Sequence, residues 1–144
     1  MSETYADDEL RSILERTRII ALVGASPKPR RPANSVMGYL LGAGYRVIPV
    51  NPRHARGEIL GQPVYASLAE VPEAIDLVDI FRRRDALAGV VDEALGLRPK
   101  PAVIWMQLGL IDEVAAARAR AAGVTVVMDR CTMVEHRRLI SRQG

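Results

Sequence analysis

Along the chain, short apolar runs rich in β-branched residues alternate with stretches whose apolar positions recur every three to four residues. Leu10, Ile13 and Leu14 stand at helical spacing behind Asp7 or Asp8, either of which predicts an N-cap. Residues 18–23 read as a buried strand ending at Gly24, followed by a long turn. A helix is predicted from near Asn34 or Ser35, with Val36, Met37, Leu40 and Leu41 on one face and Gly44 able to end it at positive φ. Residues 45–50 form the second predicted strand, closed by Asn51-Pro52, and a looser stretch with Gly57, Gly61 and Pro63 leads to Ser67 and a short helical turn. Residues 76–81 predict the third main strand. Asp85 then caps a helix whose Ala86, Leu87, Val90, Val91, Ala94 and Leu95 fit the 3.6 period. A fourth strand over 101–105, an alanine-rich helix over 111–122 stopped by Gly123, a fifth strand over 124–128 and a closing helix over 131–140 complete the pattern.

Strands that alternate with helices of this length imply parallel pairing through right-handed crossovers. The expectation is an α/β fold: a Rossmann-like, doubly wound parallel sheet of about five strands in a single domain spanning residues 1–144. Near-continuous apolar strands agree, because a central parallel strand is covered on both faces. Ligands of such sheets sit beyond the carboxyl ends of the strands, where strand order reverses. That directs attention to residues 24–35, 51–56, 81–85, 105–109 and 129–132.

Composition narrows the classes. With 144 residues, 49% hydrophobic and 26% charged, the chain can bury one core and is not of disordered composition. No apolar run approaches the ~18 residues of a membrane span, so no membrane partner is expected. The polar, acidic N-terminus is neither a signal nor a basic transit peptide. A lone cysteine, Cys131, excludes an internal disulfide and suits a reducing compartment, so the expected location is cytoplasmic. The net charge is +3, yet its arginines are spread along the chain and aromatics make up only 4%, too few for a base-stacking platform. Nucleic acid is not an expected partner.

Local basic clusters carry more information. The loop of residues 24–35 contains Gly24, Ala25, Ser26, Pro27, Lys28 and Ser35, and it stands where a helix N-terminus can hold a phosphate. Of the G-x-G-x-x-G fingerprint only Gly24 is present; Ser26 and Pro29 occupy the other glycine positions. Lys28, Arg30 and Arg31 beside a positive helix end make an anion trap, and three prolines restrict the loop. In the second loop, Asn51 stands where an NAD-binding fold places an acidic residue, and Pro52, Arg53 and His54 follow. NAD is disfavoured there, whereas a ligand with an additional ribose phosphate, NADP or coenzyme A, suits Arg53. After Phe81, Arg82, Arg83 and Arg84 oppose the dipole of the following helix, so a ligand phosphate or neighbouring carboxylates are expected to compensate them. Trp105 is a candidate either for core packing or for the cleft, with Gln107 and Gly109 after it.

Taken in order, the segments Val23-Gly24-Ala25-Ser26-Pro27, residues 44–52, Asp79-Ile80-Phe81-Arg82-Arg83, residues 105–109 and residues 127–131 resemble the stand-alone coenzyme A-binding domain family, related to the N-terminal domain of the succinyl-CoA synthetase α-subunit. The resemblance spans about residues 10 to 140. It implies that Gly24, Ala25, Ser26 and Pro27 approach the coenzyme's phosphates, that Asn51, Pro52 and Arg53 lie near its adenosine part, and that Phe81 and Arg82 border the cleft. In the synthetase the phosphorylated histidine and the nucleotide-binding module lie outside this domain, so ligase activity is not implied here.

The expected function is therefore binding of coenzyme A or acyl-CoA by a non-catalytic carrier, sensor or partner module, whose partner is a homodimer mate or an acyl-CoA-using protein. The alternative is an NADP-dependent oxidoreductase or a redox-sensing Rossmann protein. His136, within Glu135-His136-Arg137-Arg138, reads as part of a solvated helix face, and His54 as part of an exposed basic turn. Cys131 reads as a small buried hydrophobe or as a ligand-facing thiol. No metal-ligand spacing appears.

Overall fold

The computed structural model describes residues 4–140. Five parallel strands make the central sheet: β1 (Ile19–Val23), β2 (Arg46–Val50), β5 (Leu77–Ile80), β6 (Val103–Met106) and β7 (Thr125–Val127), in the order β2-β1-β5-β6-β7. Between β2 and β5 lies a small antiparallel hairpin, β3 (Glu58–Ile59) with β4 (Gln62–Pro63), turned by Leu60 and Gly61, both at positive φ. The stretch around Gly57 and Gly61 is thus more ordered than its composition predicts, since two-residue strands leave no alternation to read. β2 is one of the two edge strands, where Pro49 removes no interior ladder bond. Its outer side is covered at Tyr65, whose N–H donates to Pro49 O and whose carbonyl accepts from Asn51 N.

Side-chain alternation divides the core into two. Ile20 and Leu22 of β1, Leu77 of β5 and Trp105 of β6 face α1 (Asp7–Arg16), α2 (Pro32–Gly42) and α5 (Thr132–Leu139). Ala21 and Val23, Val78 and Ile80, and Ile104 and Met106 face α3 (Leu87–Leu95) and α4 (Glu113–Ala121). Both faces are covered, which is why these strands read as unbroken apolar runs rather than alternating ones. None of the described helices is long and apolar enough to cross a membrane.

Helix starts depart from the sequence-based expectation in several places. Asp7 and Asp8 lie inside the first turn of α1, where they complement the dipole, and Ala6 holds the N-cap position. α2 begins at Pro32 rather than at Asn34 or Ser35, because proline's fixed φ suits the first helical position and its missing N–H is not needed there. Asp85 does not cap α3: it falls within a 3₁₀ turn, Arg84–Ala86, and α3 starts at Leu87. Elsewhere the cap chemistry is as read: Gly44 ends the first crossover at φ 102° and Gly123 ends α4 at φ 86°. The sequence pattern names no cap for α4 and starts it at residue 111; the helix begins at Glu113, because Asp112 caps it through a 3.0 Å bond accepted from Ala115 N.

Candidate functional site

The chain runs from β1 out to β2 and then back past β1 to β5, so strand order reverses between β1 and β5 and their carboxyl ends open a crevice. Gly24 is the first residue beyond β1. Its N–H and that of Ala25 donate to Val50 O at 2.9 and 3.4 Å, while Phe81 N donates to Val23 O at 2.8 Å. A Cβ on Gly24 would stand 2.1 Å from Phe81 O, and φ there is 91°. Only glycine lets the three strand ends close together.

Side-chain amides and a hydroxyl then fix the loop that follows. Ser26 Oγ accepts from Lys28 N at 3.1 Å, and Asn34 Nδ2 donates to Ser26 O at 2.9 Å. Asn51 Nδ2 donates to Ala25 O at 2.8 Å, and its Oδ1 accepts from Arg53 N at 2.9 Å. Asn51 is therefore spent on joining the two loops, which supplies a structural reason for an amide at a position where a carboxylate would repel Ala25 O.

Above this floor lies a cleft of about 690 Å³. Of the residues singled out in the sequence, Gly24, Ala25, Ser26, Lys28, Ser35, Asn51, Arg53, Phe81 and Arg82 line it. Pro27, Pro52 and Arg83 do not; Arg83 makes an exposed 3.4 Å ion pair with Asp85. The cleft also takes Arg31, His54, Gln107, Leu108, Leu110, Cys131, Met133 and Val134. Leu108, Leu110, Met133 and Val134 carry no sequence signal beyond lying near strand ends, since an isolated apolar residue in a loop looks like any other.

Sheet order arranges these residues along one axis. Arg53 and His54 follow β2, Lys28 and Arg31 follow β1, Arg82 follows β5, Gln107 to Leu110 follow β6, and Cys131 to Val134 follow β7. The cleft thus grades from basic at the β2–β1 end to apolar at the β6–β7 end, where Leu108 is 64% exposed and Val134 43%. None of the described carboxylates lines it or pairs with Lys28, Arg31, Arg53 or Arg82. The N-terminus of α2 opens toward its basic side, with Pro32 and Ala33 on the wall and no side chain capping the helix. Both features favour an anion.

A buried polar group underlies the apolar end. Asp79, on β5, is fully buried; Gln107 Nε2 donates to its Oδ1 at 2.6 Å and Thr132 Oγ1 donates to its Oδ2 at 2.8 Å. Burial pushes the Asp79 carboxyl up to about 7, against the lowering effect of those two hydrogen bonds. Beside it, burial also pushes the Cys131 thiol up, which disfavours the thiolate. Trp105 packs wholly in the core, its Nε1 donating to Arg130 O at 2.8 Å. His136 is not on a solvated face: only 7% exposed, it hydrogen-bonds Tyr39 Oη through Nδ1 at 2.8 Å, and burial holds its pKa below the ordinary histidine value. The charge run around it belongs to Arg137 and Arg138, while the face bearing Glu135 and His136 turns inward, because helical periodicity separates neighbours in sequence by 100°.

The chain is similar to other proteins in sequence and in fold. An uncharacterized protein of Bacillus subtilis, YneT, is 41% identical over 128 residues, covering 89% of this chain and 92% of that protein. The solved structure of a hypothetical protein from Pyrococcus horikoshii OT3 superposes with a TM-score of 0.89 at 41% identity, covering 97% of this chain and 99% of that one. The ADP-forming acetate–CoA ligase I of Archaeoglobus fulgidus is 38% identical over 76 residues, which are 53% of this chain and 11% of the ligase. The model of the CoA binding domain matches residues 18–137, from the start of β1 to the last turn of α5, and so takes in every strand end that opens on the cleft. The chain belongs to the CoA-binding domain family.

Proposed function

We propose that this chain binds coenzyme A or an acyl-CoA in the strand-end cleft and acts in the cytoplasm as a non-catalytic carrier, sensor or partner module for a protein that makes or uses acyl-CoA. The observation that carries the reading is the polarity of the cleft: four cations and no carboxylate among the described residues that line it, with the cations spread from the β2 end to the middle strand β5 and an apolar pocket at the β6–β7 end. Coenzyme A has the same polarity, a triply phosphorylated nucleotide joined to an uncharged arm that ends in a thiol or thioester. A non-catalytic role is supported by the two candidate reactive groups. The Cys131 thiol is held protonated by burial, and His136 is committed to Tyr39. The NADP reading is not favoured, because the loop after β1 retains only Gly24 of the dinucleotide fingerprint.

Calorimetry with coenzyme A, dephospho-CoA, NADP and ATP tests the reading. Micromolar binding of coenzyme A is expected, with dephospho-CoA about tenfold weaker, the effect of one charge-assisted contact. Equal affinity for the two would remove the ribose-phosphate contact, and tighter binding of NADP would replace the proposed ligand.

A further inference from the structure

Gln107 is 6% exposed and lines the cleft, yet its amide is only half used. Its Nε2 donates to Asp79 Oδ1 at 2.6 Å and to Thr132 Oγ1 at 3.2 Å, while Thr132 Oγ1 donates its own proton to Asp79 Oδ2 at 2.8 Å. Both Nε2 protons are thereby committed to the buried side. No described residue donates to Oε1, although every fully buried side-chain polar atom among the described residues has a partner. Oε1 is therefore the atom that opens on the cleft. A buried side chain that leaves a strong acceptor unpaired at a ligand site fits a ligand that brings a donor.

Protonation of Asp79 does not overturn the arrangement. A neutral carboxyl can keep Oδ1 as acceptor for Gln107 Nε2 and donate from Oδ2 to Thr132 Oγ1. The titratable groups that bear on this region are the Cys131 thiol, at the position before α5, and the Glu135 carboxylate on α5. The adjoining strands present Leu22 of β1 and Trp105 of β6, neither ionisable, in register with Asp79.

We infer that Gln107 is a specificity residue of this cleft: its carbonyl oxygen accepts an amide N–H from the uncharged arm of the ligand, and Asp79 and Thr132 are positioning residues that fix the amide in that orientation. The inference rests on the coenzyme A reading and deepens it. Phosphates are assigned to the β2–β1 end, so the arm, whose polar groups are two secondary amides, one hydroxyl and the terminal thiol, passes over the β6–β7 end. There Gln107 is the polar side chain among Leu108, Leu110, Met133 and Val134. An acceptor in an otherwise apolar stretch rejects a ligand whose arm lacks the donor, because Oε1 would then be buried unpaired.

Two probes separate the parts: coenzyme A, and adenosine 3′-phosphate 5′-diphosphate, which keeps all three phosphates and the nucleoside but has no arm. Gln107→Met preserves length and removes the acceptor. It is expected to weaken coenzyme A roughly three- to tenfold and to leave the armless nucleotide within about twofold. The paired change Asp79→Asn with Gln107→Glu keeps size and net charge and leaves residue 107 with acceptors only. Coenzyme A affinity should stay within about threefold of the wild type. Thr132→Val should lower the ratio of the two affinities and Thr132→Ser should restore it, a readout that loss of stability alone would not move. Equal weakening of both probes by Gln107→Met, or weakening of neither, would overturn the contact. A paired variant that discriminates against coenzyme A as Gln107→Met does would show that the amide donates rather than accepts. Failure of both probes to bind the wild-type protein is the different result that removes the coenzyme A reading itself, and this inference with it.

Discussion

The two ends of the cleft are built by different means. At the β2–β1 end, backbone geometry does the work: Gly24 lets strand ends approach, Asn34 and Asn51 clip the loop through main-chain carbonyls, and the cations stand outside on flexible side chains. At the β6–β7 end, the wall is made of side chains, and its polar group is held by other side chains buried beneath it. The first design tolerates loss of a cation without loss of fold, because an exposed arginine supports little else. The second couples recognition to stability, because an unsatisfied buried group costs about 1–3 kcal/mol. Substitutions at the two ends should therefore report on different quantities.

The largest effect is expected where the basic end depends on backbone. Gly24→Ala places a methyl group against Phe81 O and puts a side chain at φ 91°. Overpacking and backbone strain together should cost about 3–5 kcal/mol, seen as a fall in Tm of about 10 °C or more. A variant that melts within 2 °C of the wild type would show that the strand ends have room to part.

Next comes the pH response of the other end. Asp79 titrates near 7 in the folded chain against about 3.9 when unfolded, so between those values the folded state holds a proton that the unfolded state has lost. Stability from this group is fully present below about pH 4, falls as pH rises toward 7 and is constant above that. Urea unfolding of the wild type, compared with Asp79→Asn across pH 4 to 8, should show the difference move against the wild type by a few kcal/mol. Parallel curves would mean that the carboxyl is better solvated than its burial implies.

Smaller still is the loss of one cation. Arg82→Ala should weaken coenzyme A about tenfold, make binding less sensitive to salt, and leave Tm within about 2 °C. Lower Tm with intact affinity would assign Arg82 to the fold rather than to the ligand. The smallest effect belongs to the apolar rim: Leu108→Ser should weaken butyryl-CoA about threefold more than coenzyme A, the expected loss from partial burial of one side chain. Identical losses for the two ligands would place the acyl group elsewhere.

Periodicity and turn chemistry made the fold legible. Five apolar runs separated by helical patterns imply a parallel sheet, and the residue beyond each main strand marks where a ligand sits. The basic half of the cleft was legible for the same reason, since Lys28, Arg53 and Arg82 are charged groups in loops that begin at strand ends. His136 was misread, because a charge run in sequence says nothing about which helical face turns inward. Arg83 was singled out with its neighbour Arg82, although the structure turns it to Asp85 outside the cleft.

By itself, then, the chain determined its strand and helix succession, the crevice at the reversal of strand order and the excess of positive charge on its loops. These are local properties: a strand run, a cap or a cation is written in a few adjacent residues. Tertiary structure alone decided the union of Asp79, Gln107 and Thr132, which lie 28 and 25 residues apart along the chain. It also decided the apolar end of the cleft. Both arise from parallel pairing that lays β5, β6 and β7 side by side, and no short-range pattern encodes which side chains meet once strands distant in sequence become neighbours in space.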